Sequence, residues 1–388
     1  MQSKICQKLT LVLCGVFLLA FAVLFVFLPK KAVSESENRT LATLPAVTAD
    51  SVLDGTYGSQ INVYYADHFP MRDAFVTIKS CCEIAMLKGQ NDGVLYSQNQ
   101  LAVRDFKAYD GKSYDTVESD RYYERLLKAN CDNLIALGDA AEQNGFDFCV
   151  CIPPRTVDVA ASAFSYPSDA SEALMADICA RLSKTKFADV YNILNVAFDK
   201  GEYVYYRTDH HWTAEGAYLA YCEIMKAYGL ESEILPQDGF DYETISTAFR
   251  GTTAAKGGFG TVLADTIKVP TAKGATFTVA RADGRVLDGL IDRTKIGSAD
   301  EYSAYLGGDD TVVTVTSGAD RPKLLMVKDS FGLSLAPYLA SYFDVVLTDV
   351  SARSNVVEIA TQYGANAILV VYNAENIITS ADAAYLKY

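Results

Sequence analysis

The stretch YYRTDHHWTAEGAY, residues 205–218, holds His210 and His211, two of the three histidines in a 388-residue chain, behind Asp209 and ahead of the only tryptophan, Trp212. In an extended backbone side chains alternate, so Asp209 and His211 share one face and His210 takes the other. A carboxylate that accepts from one imidazole nitrogen fixes the tautomer and leaves the other nitrogen free to act as a base, the arrangement that activates a serine. The plainer alternative is that both histidines are partly buried polar residues capping a helix that starts near Thr213.

A serine in the right kind of place comes from KLLMVKDSFG, where an apolar strand runs directly into a helical stretch and puts Ser330 on the turn. The backbone amides of Ser330 and Phe331 then lie at a helix N-terminus, where unpaired N–H groups favour a developing oxyanion. A plain N-cap is the competing account of that serine. The two signals together, each at a strand end, favour Ser-His-Asp acyl chemistry over capping. Asn373, directly after AILVVY, stands where a side-chain amide would supply a second oxyanion donor. A metal site needs more ligands than His68 can add to the pair, and His68 reads as structural, with Asp67 or Asp73 as its partner. No metal and no soluble cofactor is expected.

The elements that must position these residues follow an α/β rhythm. Strand-like runs at 146–152, 188–194, 323–327, 344–349 and 367–372 alternate with helical stretches near 170–184, 213–228, 331–343 and 354–363, after a long helix near 119–144. Such alternation predicts a doubly wound parallel sheet with its ligand edge at the carboxyl ends of the strands. Residues 235–320 break the rhythm with Gly-rich loops and short β-like runs and read as an inserted β-rich segment. Its mobile-looking TTAAKGGFG stretch, with Lys256, is expected to lie over the strand ends and help form an acceptor groove.

Ahead of the globular part, Leu9 to Leu28 carries no charge and is flanked by Lys4, Lys8, Lys30 and Lys31. That length crosses a bilayer, and no small-residue cleavage pattern follows it, so residues 9–28 are expected to be an uncleaved transmembrane anchor. Residues 29–58 read as a linker and 59–388 as one large domain outside the cytoplasmic membrane, held by a single pass. The net charge of −14 argues against nucleic acid as a partner. Of nine cysteines, Cys6 and Cys14 lie in or beside the anchor, and the odd number left gives no disulfide framework.

The stretches FPMRDAF, YYRTDHHWT, FRGTTAAKGGFG followed by ADTI, and LLMVKDSFG occur in the order found in the DHHW proteins. Over about residues 35–388 the sequence resembles that family, relatives of the alginate O-acetyltransferase accessory proteins with an SGNH-hydrolase-like fold. The resemblance implies that Asp209, His211 and Ser330 are catalytic, that His210 falls on a variable position, and that Lys328 stands where SGNH enzymes usually carry glycine. It implies a membrane-anchored O-acyltransferase, of acetyl groups, acting on a cell-envelope or secreted polysaccharide, with a multi-spanning membrane acyltransferase as donor. Two other readings use the same residues: a carbohydrate acetyl esterase, and a non-catalytic glycan-binding or scaffold subunit.

Overall fold

A strand buried on both faces needs an apolar side chain at nearly every position, and KLLMV, DVVLT and AILVV supply that. The computed structural model describes residues 2–34, 39–97, 99–103, 117–164, 172–259 and 263–388. Its main sheet is built from β1 (Asp147–Cys151), β2 (Phe187–Ala188), β3 (Thr278–Arg281), β4 (Val286–Asp288), β5 (Val312–Thr316), β6 (Lys323–Lys328), β7 (Asp344–Asp349) and β8 (Ala367–Val371). The spatial order is β4-β3-β5-β7-β6-β8-β1-β2. From β7 to β2 every pair is parallel; β5, β3 and β4 add antiparallel strands at one edge.

Alternate strand residues feed two cores. Leu324, Met326, Val345, Leu347, Leu369 and Val371 pack against helices Tyr191–Asp199, Ala214–Ala227 and Phe331–Leu339. Leu325, Val327, Val346, Ile368 and Val370 face the other way, toward helices Val117–Gln143, Glu172–Leu182 and Val356–Tyr363. All of β6 from Leu324 to Val327 is fully buried, so each of those side chains contributes on the order of 1.5–3 kcal/mol of hydrophobic stabilisation. That buried strand is the rigid stalk under Ser330.

Register brings the carboxyl ends of the central strands level. Lys328 of β6 pairs with Val371 of β8, which pairs with Cys151 of β1. The next residues of each strand therefore meet at one edge: Asp329 and Ser330, Asn373, and the turn Pro153-Pro154-Arg155. The Asp329 N–H donates to the Val371 carbonyl and the Ala374 N–H to the Pro153 carbonyl, which ties the three turns together.

Two expectations from the sequence fail here. Residues 188–194 are not a strand: β2 is only Phe187–Ala188, and a helix occupies Tyr191–Asp199. Val190, Leu194 and Ala197 are buried at helical spacing, and Asp189 accepts from the Tyr191 N–H at the start of the turn. Residues 235–320 also divide in two. A hairpin of Phe240–Phe249 with Asp265–Ala272 stands apart, whereas β3, β4 and β5 extend the main sheet itself. Residues 252–257 of the supposed loop form a short helix, Thr252–Gly257, while residues 260–262 lie outside the described set. So do residues 35–38 of the linker.

At the N-terminus one helix, α1 (Gln2–Phe27), includes a stretch from Cys6 to Phe27 that is long and apolar enough to cross a membrane.

Candidate active site

Asp209, His211 and Ser330 are in hydrogen-bonded series. His211 Nδ1 lies 2.5 Å from Asp209 Oδ1, and His211 Nε2 lies 2.6 Å from Ser330 Oγ. The local backbone that achieves this is not extended. Tyr205 and Trp212 form an antiparallel bridge, the Tyr206 N–H donates to the His211 carbonyl, and residues 207–211 bend between them. Asp209 Oδ1 also accepts from the backbone N–H of His211, two residues on, at 3.0 Å. This Asx-type turn brings the carboxylate and the imidazole together, so the strand alternation expected from the sequence reaches the right pair for the wrong reason.

His210 does not point away. Its ring centroid is 3.9 Å from that of His211, and its Nδ1 lies 2.8 Å from Thr252 Oγ1. Thr252 in turn gives both its N–H (2.8 Å) and its hydroxyl (2.9 Å) to Asp209 Oδ2. The hydroxyl proton is committed to Asp209, so His210 is the donor to that oxygen and carries its proton on Nδ1. Neither histidine caps the following helix: Thr213 does, its side chain accepting from Gly216 N–H.

Burial opposes a charge on Asp209, but attraction to the neighbouring His210 and His211 rings, the His211 hydrogen bond and the Thr252 amide outweigh it and hold the carboxyl far below its usual range. Burial lowers His210, and neighbouring His211 adds to the effect, so His210 stays neutral near pH 7.

Ser330 stands at the N-cap position of helix Phe331–Leu339, yet its side chain caps nothing. Asp329 does that work: its Oδ1 accepts the Phe331 N–H at 3.0 Å, while Oδ2 accepts from the Asn373 N–H at 2.7 Å and from Asn376 Nδ2 at 3.2 Å. The substitution of cap leaves Ser330 Oγ for His211. It also corrects one expectation, because the Phe331 amide is engaged and not free for an oxyanion. Burial is the main cause that pushes Asp329 up to about 6, against the pull of those three donors and of Lys328.

The fourth letter of DHHW has a mechanical job. Trp212 is fully buried and its Nε1–H donates to Ser334 Oγ, one turn into the helix that Ser330 opens. Tyr302 lies flat on His211, centroids 3.9 Å apart and planes 8° from parallel, and its hydroxyl donates to the Ser330 carbonyl at 3.2 Å. Phe331 closes the other side, 4.9 Å from His211. The imidazole is thus held by a stacked Tyr302 ring and by contact with the tilted Phe331 ring.

Tyr302, Thr252, Asp329 and Asp265 were not picked out by sequence reasoning. Asp265, in the ADTI stretch, is buried and accepts from the Arg207 N–H (2.9 Å), the Thr208 N–H (2.8 Å), the Thr208 hydroxyl and the Tyr203 hydroxyl. It pins the turn that carries Asp209. Its signal was the recurrence of FRGTT and ADTI with DHHW, which a single chain cannot convert into a contact.

Two clefts lie beside the histidines. One, of about 480 Å³, is lined by Ser330, His211, Asp209, Tyr302, Phe249 and Leu333 among others. The other, of about 430 Å³, is lined by His210, Phe331, Asn373, Glu375 and Arg155 among others. Asn373 Oδ1 accepts the N–H groups of Glu375 and Asn376, both at 2.9 Å. Lys256 lies at the far end of its short helix and lines neither cleft. His68 Nε2 donates to the Ala42 carbonyl at 2.8 Å instead of pairing with Asp67 or Asp73, and Asp67 accepts the Ala42 N–H.

Asp209, His210 and His211 bring potential metal-ligand atoms within 4.8 Å of one another. They do not fit a resident cation, because both Nδ1 atoms hold donated protons and His211 Nε2 is turned to Ser330.

The fold and site define a mixed α/β protein with a large parallel-containing sheet, at whose carboxyl edge Ser330, His211 and Asp209 converge. The DHHW protein family model matches residues 37–97 and 97–350, and the chain belongs to that family. Its fold is similar to a DHHW family protein from Eubacterium siraeum (TM-score 0.59, 18% identity, 76% of this chain and 95% of that one). It is also similar to Bacillus cereus PatB1 with a sulfonyl adduct (TM-score 0.54, 19% identity, 76% of this chain and 97% of that one). No curated protein sequence matches.

Proposed function

We propose that the protein is a membrane-anchored, extracytoplasmic O-acyltransferase that moves an acyl group, acetyl in the first instance, to a hydroxyl of a cell-envelope or secreted polysaccharide. The observation that carries this reading is the unbroken series Asp209–His211–Ser330 at 2.5 and 2.6 Å. His211 Nε2 takes the Ser330 proton as Oγ attacks the donor carbonyl, and returns it to the departing group, leaving an ester on Ser330. A sugar hydroxyl then gives its proton to the same nitrogen as it attacks that ester, and Ser330 recovers the proton. Asp209 keeps Nδ1 protonated throughout and stabilises the imidazolium. The Ser330 N–H, which meets no acceptor among the described residues, serves as an oxyanion donor. The second donor is Asn373 Nδ2, since the oxygen of that side chain is committed.

Two clefts flanking the histidine pair suit transfer better than hydrolysis, one for the donor and one for the acceptor chain. The donor in this reading is a multi-spanning membrane acyltransferase, and α1 is a retained single-pass anchor. Treatment with phenylmethanesulfonyl fluoride should add one sulfonyl group, on Ser330, and the Ser330→Ala protein should lose turnover of a nitrophenyl acetate by ~10⁴-fold or more. Retained turnover in that variant would remove the serine from the mechanism. Hydrolysis without transfer to any oligosaccharide offered would leave the esterase, and failure of both reactions in wild-type protein would leave the scaffold.

A further inference from the structure

The helices Thr56–Asp67 and Arg72–Ala85 and the turns that follow them carry large apolar side chains that the domain does not cover. Tyr65, Phe69, Met71, Phe75, Ile78 and Leu87 are all exposed, Met71 at 61% and Ile78 at 58%. The patch is continuous with α1. Phe21 stacks on Phe69 (centroids 5.3 Å apart) and lies 5.8 Å from Phe75, and Phe25 stacks on Tyr65 at 4.4 Å. Phe21 is six residues before the end of α1, so these rings sit about 9 Å down the helix axis from Phe27. If α1 crosses a bilayer, rings at that level lie at the boundary of headgroups and acyl chains, the depth at which amphipathic helices bind a membrane surface, roughly 5–10 Å in. Basic and aromatic groups flank the same level: Lys30 folds its ammonium over the Phe25 ring, 3.7 Å from the centroid, and Lys31 follows it.

The opposite side of helix Arg72–Ala85 is tied to the active site. Ser80 is buried and accepts from Asn91 Nδ2, which also donates to the Gly257 carbonyl at 2.7 Å. Gly257 ends the short helix whose first residue, Thr252, holds Asp209. One face of this element touches the support of the catalytic aspartate and the other is apolar and bare.

We propose that helices Thr56–Asp67 and Arg72–Ala85 form a platform that seats in the lipid surface of the membrane α1 crosses, fixing the height of Ser330 above it. The proposal rests on α1 being membrane-spanning. It adds a second, peripheral attachment that a single anchor does not require. With a free tether the domain would sample the volume its linker allows; seated on the platform, it presents its clefts at a set distance from a membrane-borne donor.

Tryptophan quenching by brominated lipid tests this, because the only native tryptophan, Trp212, is buried in the domain core. Full-length protein is reconstituted in phosphatidylcholine vesicles with and without brominated acyl chains, as wild type and with Leu18→Trp, Phe69→Trp, Ile78→Trp or Val286→Trp. The expected result is at least about two-fold quenching of the added tryptophan at Leu18, Phe69 and Ile78, and none in wild type or at exposed Val286. Quenching at Leu18 with none at Phe69 and Ile78 overturns the platform and leaves the anchor standing; the patch then faces water, a second copy or another protein. Quenching at Phe69 and Ile78 without Leu18 overturns the spanning α1 and with it the proposal, leaving these helices as a peripheral lipid contact of another kind. No quenching at any of the three overturns both.

Discussion

His210 and His211 are adjacent in sequence and in space, yet only His211 touches Ser330. His211→Ala removes the base and should cost ~10⁴-fold or more in turnover with little change in Tm. His210→Ala deletes one hydrogen bond to Thr252, whose amide still holds Asp209, so the loss should be about ten-fold at most and visible mainly in KM for a large acceptor. Steady-state kinetics of the two variants check the ranking. Asp329 makes the second prediction at this scale. Its folded pKa, about 6, is above the ordinary 3.8. A carboxyl raised in this way contributes stability fully below the unfolded value, and loses it as pH rises through the folded one. Asp329→Asn does not titrate there. The stability advantage of wild type over that variant should therefore shrink by about 2 kcal/mol between pH 4 and pH 7, as read from urea unfolding at each pH. A constant difference would show that Asp329 ionises normally.

The short elements around the triad leave no room for side chains at two glycines. A Cβ on Gly251 would lie 2.2 Å from Asp209 Oδ2, and one on Gly332 would lie 2.6 Å from Lys328 Cβ. Gly251→Ala must push Asp209 off His211. It should destabilise the fold by about 1–3 kcal/mol and lower turnover by ~10²-fold or more, the cost of a misplacement near 1 Å. Calorimetry and ester hydrolysis separate the two effects. Gly332 explains the last letter of KDSFG: the buried Lys328 side chain runs beneath it to reach Asp309. Much of this was legible in the sequence. The apolar runs of β1, β6, β7 and β8 and the helices between them stood out because burial on both faces leaves a continuous signal. The pairing of Asp209 with His211 was legible too. Its cause was not, since an Asx-type turn and an extended strand put the same two side chains together. The Tyr191–Asp199 helix was hidden by β-branched and aromatic residues that suit either period. The TTAAKG stretch read as part of an acceptor groove; its first residue, Thr252, lines the Ser330 cleft and also holds Asp209. Trimming residues 252–257 should accordingly abolish hydrolysis and transfer together, where a groove wall would have lost transfer alone.

At the scale of the whole molecule, α1 and the helical platform would make the protein hard to strip from a membrane. Full-length protein should stay in the membrane fraction through high salt and carbonate and leave it in detergent; a soluble form beginning near Val33 or Ser34 would show that α1 is removed instead. The strand order carries a different consequence. β8, Ala367–Val371, is the last strand of the sheet in the chain and lies in its middle, between β6 and β1. The strand bearing Ser330 and the first strand of the sheet therefore have no direct bond to each other and meet only through a segment made about 220 residues after β1. At 5–20 residues per second that gap is on the order of 10 to 40 s of synthesis, through which β1 keeps an apolar edge unpaired, whereas β6, made about 40 residues before β8, waits only the last few seconds. The central sheet thus cannot close before β8 has been made, and long-range pairing makes its assembly slow. Ser330 and Asn373 cannot be brought to one sheet edge until β8 has paired between β6 and β1.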